Sequence, residues 1–264
     1  MGANSKIEWT THTANLWWGC TAVHADCDNC YARVLSHRWG ENLWGNDVPR
    51  RAIKSVWKDL DRYQREAKKA DRFDRVFVGS MMDIFEKPMP LSNPIDHYEN
   101  TDDLRQEFFT RIGAEIYPNL LFLLLTKRPS NIPKYVPAGW LEDPPNVMYG
   151  TSPVDQKTMV TLTTQLLQVK GKKFLSIEPQ LDLIFLLGYI QNNENGPETF
   201  YDFTKGIDWI IQGGESGHHK RPFNLEWARS MRDQCEDFNI PYFFKQIDKI
   251  QPIPKDLQVR QFPE

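Results

Sequence analysis

Leu120-Leu121-Phe122-Leu123-Leu124-Leu125 runs without a break into Thr126-Lys127-Arg128. The run is too short for a buried helix and does not alternate, as a strand with one wet face would. It reads as a strand covered on both sides, the habit of parallel sheets. Residues 75–79, 147–150, 174–177, 207–212 and 241–244 repeat the pattern, and an earlier run near 16–19 leads into Cys20. Helical patterns separate the runs. Leu104, Phe108, Ile112 and Ile116 recur every fourth residue after Asp102 and Asp103. Met159, Leu162, Leu166 and Val169 line a second face, and Leu225, Ala228, Met231 and Cys235 a third. This alternation predicts an α/β fold, a partial (β/α) TIM-like barrel over residues 1–264 as one domain.

Outside this rhythm, residues 62–75 mix charges of both signs and read as an exposed helix. Residues 86–103, rich in proline turns, read as a long loop, and residues 188–206 as an insertion or hairpin around Asn192-Asn193-Glu194-Asn195-Gly196-Pro197.

Barrel active sites assemble at the C-terminal strand ends. In chain order those ends carry Cys20; Ser80 with Asp83; Thr126, Lys127 and Arg128; Thr151 and Ser152; then Ser176 and Glu178. Gly213-Gly214-Glu215-Ser216-Gly217 and finally Lys245 and Gln246 complete the set. A polar turn explains any one of these positions. The whole set marks that rim as the candidate site.

The first of these ends opens the segment Gly19-Cys20-Thr21-Ala22-Val23-His24-Ala25-Asp26-Cys27-Asp28-Asn29-Cys30-Tyr31. Three thiolates at C-x6-C-x2-C can take three corners of a four-iron cluster and leave one iron open to a small molecule. The Cys27–Cys30 pair would open a helix whose amides can reach the cluster sulfurs. Adding His24 gives C-x3-H-x2-C-x2-C, a donor set equally suited to structural zinc. Spacing leaves both open, while a place after the first strand, at a polar rim, favours catalysis. The fourth cysteine, Cys235, sits on an apolar stripe and reads as a core thiol.

Bulk composition sets limits. The 264 residues are about 40% hydrophobic and 25% charged, with net charge −3 and pI near 6.1, which argues against a tight non-specific DNA binder. No stretch reaches the roughly 20 apolar residues of a membrane span. The opening residues lack a signal-peptide core, and Lys6 stands where myristoylation wants Ser or Thr. The expected location is the cytoplasm, the host's if the chain is phage-encoded. Three cysteines within eleven residues point to metal or redox chemistry in that compartment. Trp9, Trp17, Trp18, Trp39, Trp44 and Trp57, with Arg50 and Arg51 nearby, suit core packing or stacking on bases. His218-His219-Lys220-Arg221 suits either a phosphate or a solvated loop.

An ordered set of motifs carries a resemblance. Ile7-Glu8-Trp9-Thr10, Gly19-Cys20-Thr21 and Cys27-Asp28-Asn29-Cys30-Tyr31-Ala32 come first. Gly79-Ser80 with Asp83, Leu125-Thr126-Lys127-Arg128-Pro129 and Leu175-Ser176-Ile177-Glu178-Pro179 follow. Ile207-Asp208-Trp209, Gly213-Gly214-Glu215-Ser216-Gly217, Arg221-Pro222, Arg232-Asp233-Gln234-Cys235 and Phe243-Phe244-Lys245-Gln246 complete it. Over nearly the whole chain this resembles a phage and bacterial family grouped with radical S-adenosylmethionine (SAM) enzymes. Leu16 stands where that family commonly has Pro, and the cysteine spacing is longer than the usual C-x3-C-x2-C.

The resemblance implies a [4Fe-4S] cluster on Cys20, Cys27 and Cys30, SAM on the open iron, and an external electron donor. Reductive cleavage would then give a 5′-deoxyadenosyl radical that removes hydrogen from a substrate. Glu178 and Glu215 would contact the ribose hydroxyls or the methionine ammonium, and Gly213 and Gly214 would admit the adenine or methionyl group. Ser80, Asp83, Thr126 and Ser176 would support them. Lys127, Arg128 and Lys245 would reach a phosphate or carboxylate. The expected activity is modification or rearrangement of a nucleobase side chain, such as hypermodified thymine in phage DNA. The rivals are a radical SAM enzyme acting on a small metabolite or peptide, and a non-catalytic zinc-knuckle nucleic-acid-binding protein.

Overall fold

The structure, a computed structural model, describes residues 5–24, 27–191, 198–216 and 220–263. Seven strands share one sheet: β1 (His12–Ala14), β2 (Asp74–Val78), β3 (Leu120–Thr126), β4 (Val147–Thr151), β5 (Lys172–Ile177), β6 (Trp209–Gly213) and β7 (Tyr242–Gln246). They hydrogen-bond in chain order, and β1–β2, β2–β3, β5–β6 and β6–β7 are parallel. An order that never doubles back is the winding of a partial α/β barrel, not of a doubly wound sheet. The chain divides into two compact units, 1–149 and 150–264, with the boundary inside β4.

In the first unit the apolar runs are buried as predicted: Val76 and Val78 on β2, and Leu120 with Phe122 to Leu124 on β3. The longer helices are α1 (Tyr31–Arg38), α2 (Val56–Lys69) and α3 (Thr101–Gly113), and a single helical turn spans Ile132–Tyr135. A capping box starts α3: the Asn100 side chain accepts from the amides of Asp102 and Asp103, and Asp103 accepts from the Asn100 amide. Leu104, Phe108 and Ile112 are buried, and Phe108 meets Phe122 edge-on at 5.2 Å. Ile116 lies beyond the helix and is exposed.

Three expectations are corrected in this unit. The first strand is His12–Ala14, not residues 16–19; Trp17–Trp18 pairs antiparallel with Arg51–Ala52 instead. The apolar signal was displaced because His12 and Thr13 are polar yet buried. The charged stretch is not an exposed helix over 62–75. Helix α2 begins earlier and buries Val56, Leu60, Tyr63 and Ala67, while Asp74 and Arg75 belong to β2. Residues 86–103 are not one loop: they hold the hairpin Pro90–Ile95/Tyr98–Asn100 and the first turn of α3.

The second unit carries α4 (Gln156–Leu166) and α5 (Leu225–Asp237). Asp155 caps α4 by accepting from the Thr158 amide at 2.7 Å. Met159, Leu162 and Leu166 are buried, as is Val169 just past the helix, and α5 buries Ala228, Met231 and Cys235. Leu187–Gln191 and Glu198–Asp202 form the antiparallel hairpin that was one of two readings of 188–206; Asn192 to Pro197 lie outside the described residues. Gly150 on β4 lies under the Phe174 ring, whose Cε2 is 2.7 Å from where a Cβ would stand. Among the described residues no helix is long and apolar enough to cross a membrane.

Candidate functional site

The strand ends of the first unit converge on one carboxylate. Asp83, after β2, is buried and keeps both oxygens occupied. Its Oδ1 accepts from the Thr126 hydroxyl at 2.7 Å and the Phe85 amide at 3.0 Å; its Oδ2 accepts from Arg128 Nη1 at 2.7 Å and the Lys127 amide at 3.2 Å. Arg128 continues from there into the cysteine loop. Its Nη2 donates to the Thr21 carbonyl at 2.6 Å, and its Nη1 lies 3.8 Å from Cys20 Sγ. Thus Cys20, Asp83, Thr126, Lys127 (through its backbone) and Arg128 are brought together. Ser80 stands beside them in a second small network, accepting from Asn15 Nδ2 at 2.8 Å while its carbonyl accepts from Tyr31 Oη at 2.6 Å.

Behind this set lies an ion pair not predicted from the sequence. Arg50 was expected near tryptophan rings, but it is fully buried and grips Glu86 with Nε at 3.0 Å and Nη2 at 2.6 Å. Its other donors go to the carbonyls of Leu43, Val48 and Gly45 and to the Thr21 hydroxyl. Gly19, at φ +115°, lets the backbone turn against it: a Cβ there would stand 2.7 Å from Arg50 Cδ. The only sequence signal for Glu86 was a carboxylate directly following the apolar stretch Ile84-Phe85.

Electrostatics follow from these contacts. Burial pushes the Cys20 thiol up to about 12; the charges of Asp83 and Glu86 add to that, and Arg128 opposes it. Burial would lower the Arg128 pKa, but Asp83, Cys20 and Glu86 reverse that and raise it. Cys20, Cys27 and Cys30 are all free thiols of intermediate exposure. The Cys30 amide donates to the Cys27 carbonyl at 3.2 Å, and Cys30 is the N-cap of α1 without a side-chain capping bond. The predicted helix opening is therefore present.

In the second unit Glu178, which follows β5 across a cis Glu178–Pro179 bond, is held by Ser176 Oγ at 3.3 Å from Oε2. Lys245 Nζ hydrogen-bonds Oε2 at 3.2 Å. Nζ is also 3.0 Å from Oε1, an ion-pair distance, and among the described residues no well-aligned hydrogen bond reaches that buried oxygen. A Cβ on Gly213 would stand 2.9 Å from that oxygen. Gly214 is needed by the fold itself: its amide donates to the Gln246 carbonyl at 3.0 Å, its carbonyl accepts from Gln246 Nε2 at 3.1 Å, and an added Cβ would stand 2.8 Å from Phe223 Cβ. Glu215 belongs to a separate pair, accepting from Arg221 Nη2 at 2.7 Å. Gly217, His218 and His219 lie outside the described residues; Lys220 pairs with Asp248 at 2.7 Å.

Residues 4–260 match the family described as "Protein of unknown function (DUF5131)". The chain belongs to this family. No curated protein and no solved structure matches it.

The donor chemistry of this DUF5131 chain fits an iron–sulfur cluster: three free thiols on one short loop, the first under a guanidinium that can donate to sulfur. Among the described residues, no group of three or more His, Cys, Asp or Glu side chains is arranged to hold a metal ion. Ala25 and Asp26, inside that loop, lie outside the description.

Proposed function

We propose that this chain is a radical SAM enzyme that holds a [4Fe-4S] cluster on Cys20, Cys27 and Cys30 and modifies or rearranges a nucleobase side chain, as in hypermodified thymine of phage DNA. The observation that carries the reading is the free thiol trio at the start of α1, with Cys20 tied through Arg128 to Asp83 at the strand ends. When bound, cluster and cofactor together supply hydrogen abstraction, using an electron from an external donor.

The chain's own residues do the rest. Asp83, locked by Thr126 and two backbone amides, orients Arg128, which fixes the Cys20 end of the loop. In the second unit Ser176 and Lys245 hold Glu178 so that Oε1 can accept from a hydroxyl or ammonium group. A nucleotide substrate is supported by a groove of about 370 Å³ in the first unit, lined by Arg33, His37, Asn42 and Trp44 among others. Nearby in sequence, exposed Trp39 stacks on Trp18 at 4.8 Å and Arg51 lies 4.3 Å from the Trp18 ring centre. Cations beside aromatic faces suit phosphates and bases.

Anaerobically purified protein should be brown, bleach on dithionite and release 5′-deoxyadenosine from SAM, and Cys27→Ala should lose all three properties. A colourless protein with one zinc, or cleavage retained in Cys27→Ala, would defeat the proposal. A mass-neutral change in modified phage DNA tests the substrate; turnover only on a small metabolite or peptide would replace it.

A further inference from the structure

We propose that Arg128 is the positioning residue of the cysteine loop: it straps Cys20 in place through the loop backbone and directs an N–H at the Cys20 sulfur, raising the reduction potential of the cluster. This rests on Cys20 being a cluster ligand. The contacts carry it. Nη2 holds the Thr21 carbonyl at 2.6 Å, while Nη1 lies 2.7 Å from Asp83 Oδ2 and 3.8 Å from Cys20 Sγ.

Both guanidinium ends are thereby committed inside the protein, and the side chain is only 12% exposed. Arg128 is accordingly not available to a substrate phosphate, the use suggested by its place after β3. Glu86, 4.0 Å away, is already neutralised by Arg50, so Arg128 answers chiefly to Asp83 and the loop. A donor aimed at a ligand sulfur, and a cation in a poorly solvated site, both favour the reduced cluster. Only a planar fork reaches carboxylate and carbonyl at once; lysine keeps the charge but not the second contact.

The test uses the full chain and the variants Arg128→Lys and Arg128→Gln, each prepared metal-free and after anaerobic reconstitution with ferrous iron and sulfide. In metal-free protein, hydrogen exchange reads the strap directly. The Gly45 amide, which donates to the Cys20 carbonyl at 3.1 Å, should exchange roughly tenfold faster in both variants. In reconstituted protein, the midpoint potential of Arg128→Gln should move negative, and Arg128→Lys should recover part of that shift. Arg128→Lys keeps a cation beside Asp83, so a folded comparison exists even if Arg128→Gln is unstable. Unchanged exchange at Gly45 overturns the strap. Equal potentials in wild type and Arg128→Gln, or no recovery with lysine, overturn the sulfur-directed role. If the wild type takes up no iron, the cluster reading fails by itself, and the exchange arm still decides the strap.

Discussion

Arg50 has no polar hydrogen left to offer. Six contacts to Glu86, three backbone carbonyls and the Thr21 hydroxyl use every donor of a fully buried guanidinium. A lysine there keeps the charge, makes at most three of these bonds and leaves carbonyls unmet. Arg50→Lys should therefore destabilise by about 3 kcal/mol, read as a lower urea midpoint, because buried acceptors lose their donors and the planar two-point grip on Glu86 is lost although the charge is kept. A change within 0.5 kcal/mol would mean that the pair is not buried as described. Glu178 makes the opposite case. Its Oε1 meets the Lys245 ammonium at 3.0 Å without a well-aligned hydrogen bond, so Glu178→Gln gives up that ion pair at a cost of about 1 kcal/mol or less in urea unfolding, and should weaken the SAM binding proposed above, measurable by calorimetry on reconstituted protein.

Helix α3 shows what an element-level signal delivers. The Asn100–Asp103 box satisfies amides that the helix cannot, and Asn100→Ala should cost about 1 kcal/mol in thermal or urea unfolding. The same element explains what could be read in advance. Asp102 and Asp103 announced its start, and Leu104, Phe108 and Ile112 its buried face, because caps and periodicity are local. The long greasy strands were legible for the same reason. β1 was not: its burial depends on His12 meeting Asp74 at 3.3 Å and stacking on Tyr63 at 3.9 Å, partners far away in sequence. The candidate site divides likewise. Strand-end logic found Asp83, Thr126 and Arg128, but Arg128 and Thr21 lie 107 positions apart, and no spacing rule connects them.

At the scale of the whole molecule, stability should depend on pH through that His12–Asp74 pair. Burial lowers the His12 pKa below its ordinary 6.5, although Asp74 opposes it. The unfolded chain then takes up a proton that the folded one resists, so this stabilisation is present above pH 6.5 and fades as pH falls through the lowered folded value. Asp74 adds a second window: burial raises it, but the Arg72 hydrogen bond and charge prevail and leave it below 3.8, so its contribution is lost only in stronger acid. The melting temperature should drop as the buffer goes from pH 8 to 5, and His12→Gln should flatten that slope; an unaltered slope would exclude His12 as the source. Gly150 has a consequence of another kind. With the Phe174 ring resting on its bare α-carbon, strand spacing at that point is set by hydrogen alone. Saturation mutagenesis at 150, selected for folded protein, should return glycine and little else. Alanine should regain a place only when residue 174 is simultaneously reduced to leucine or valine, a compensation that would mark the two positions as one shared volume.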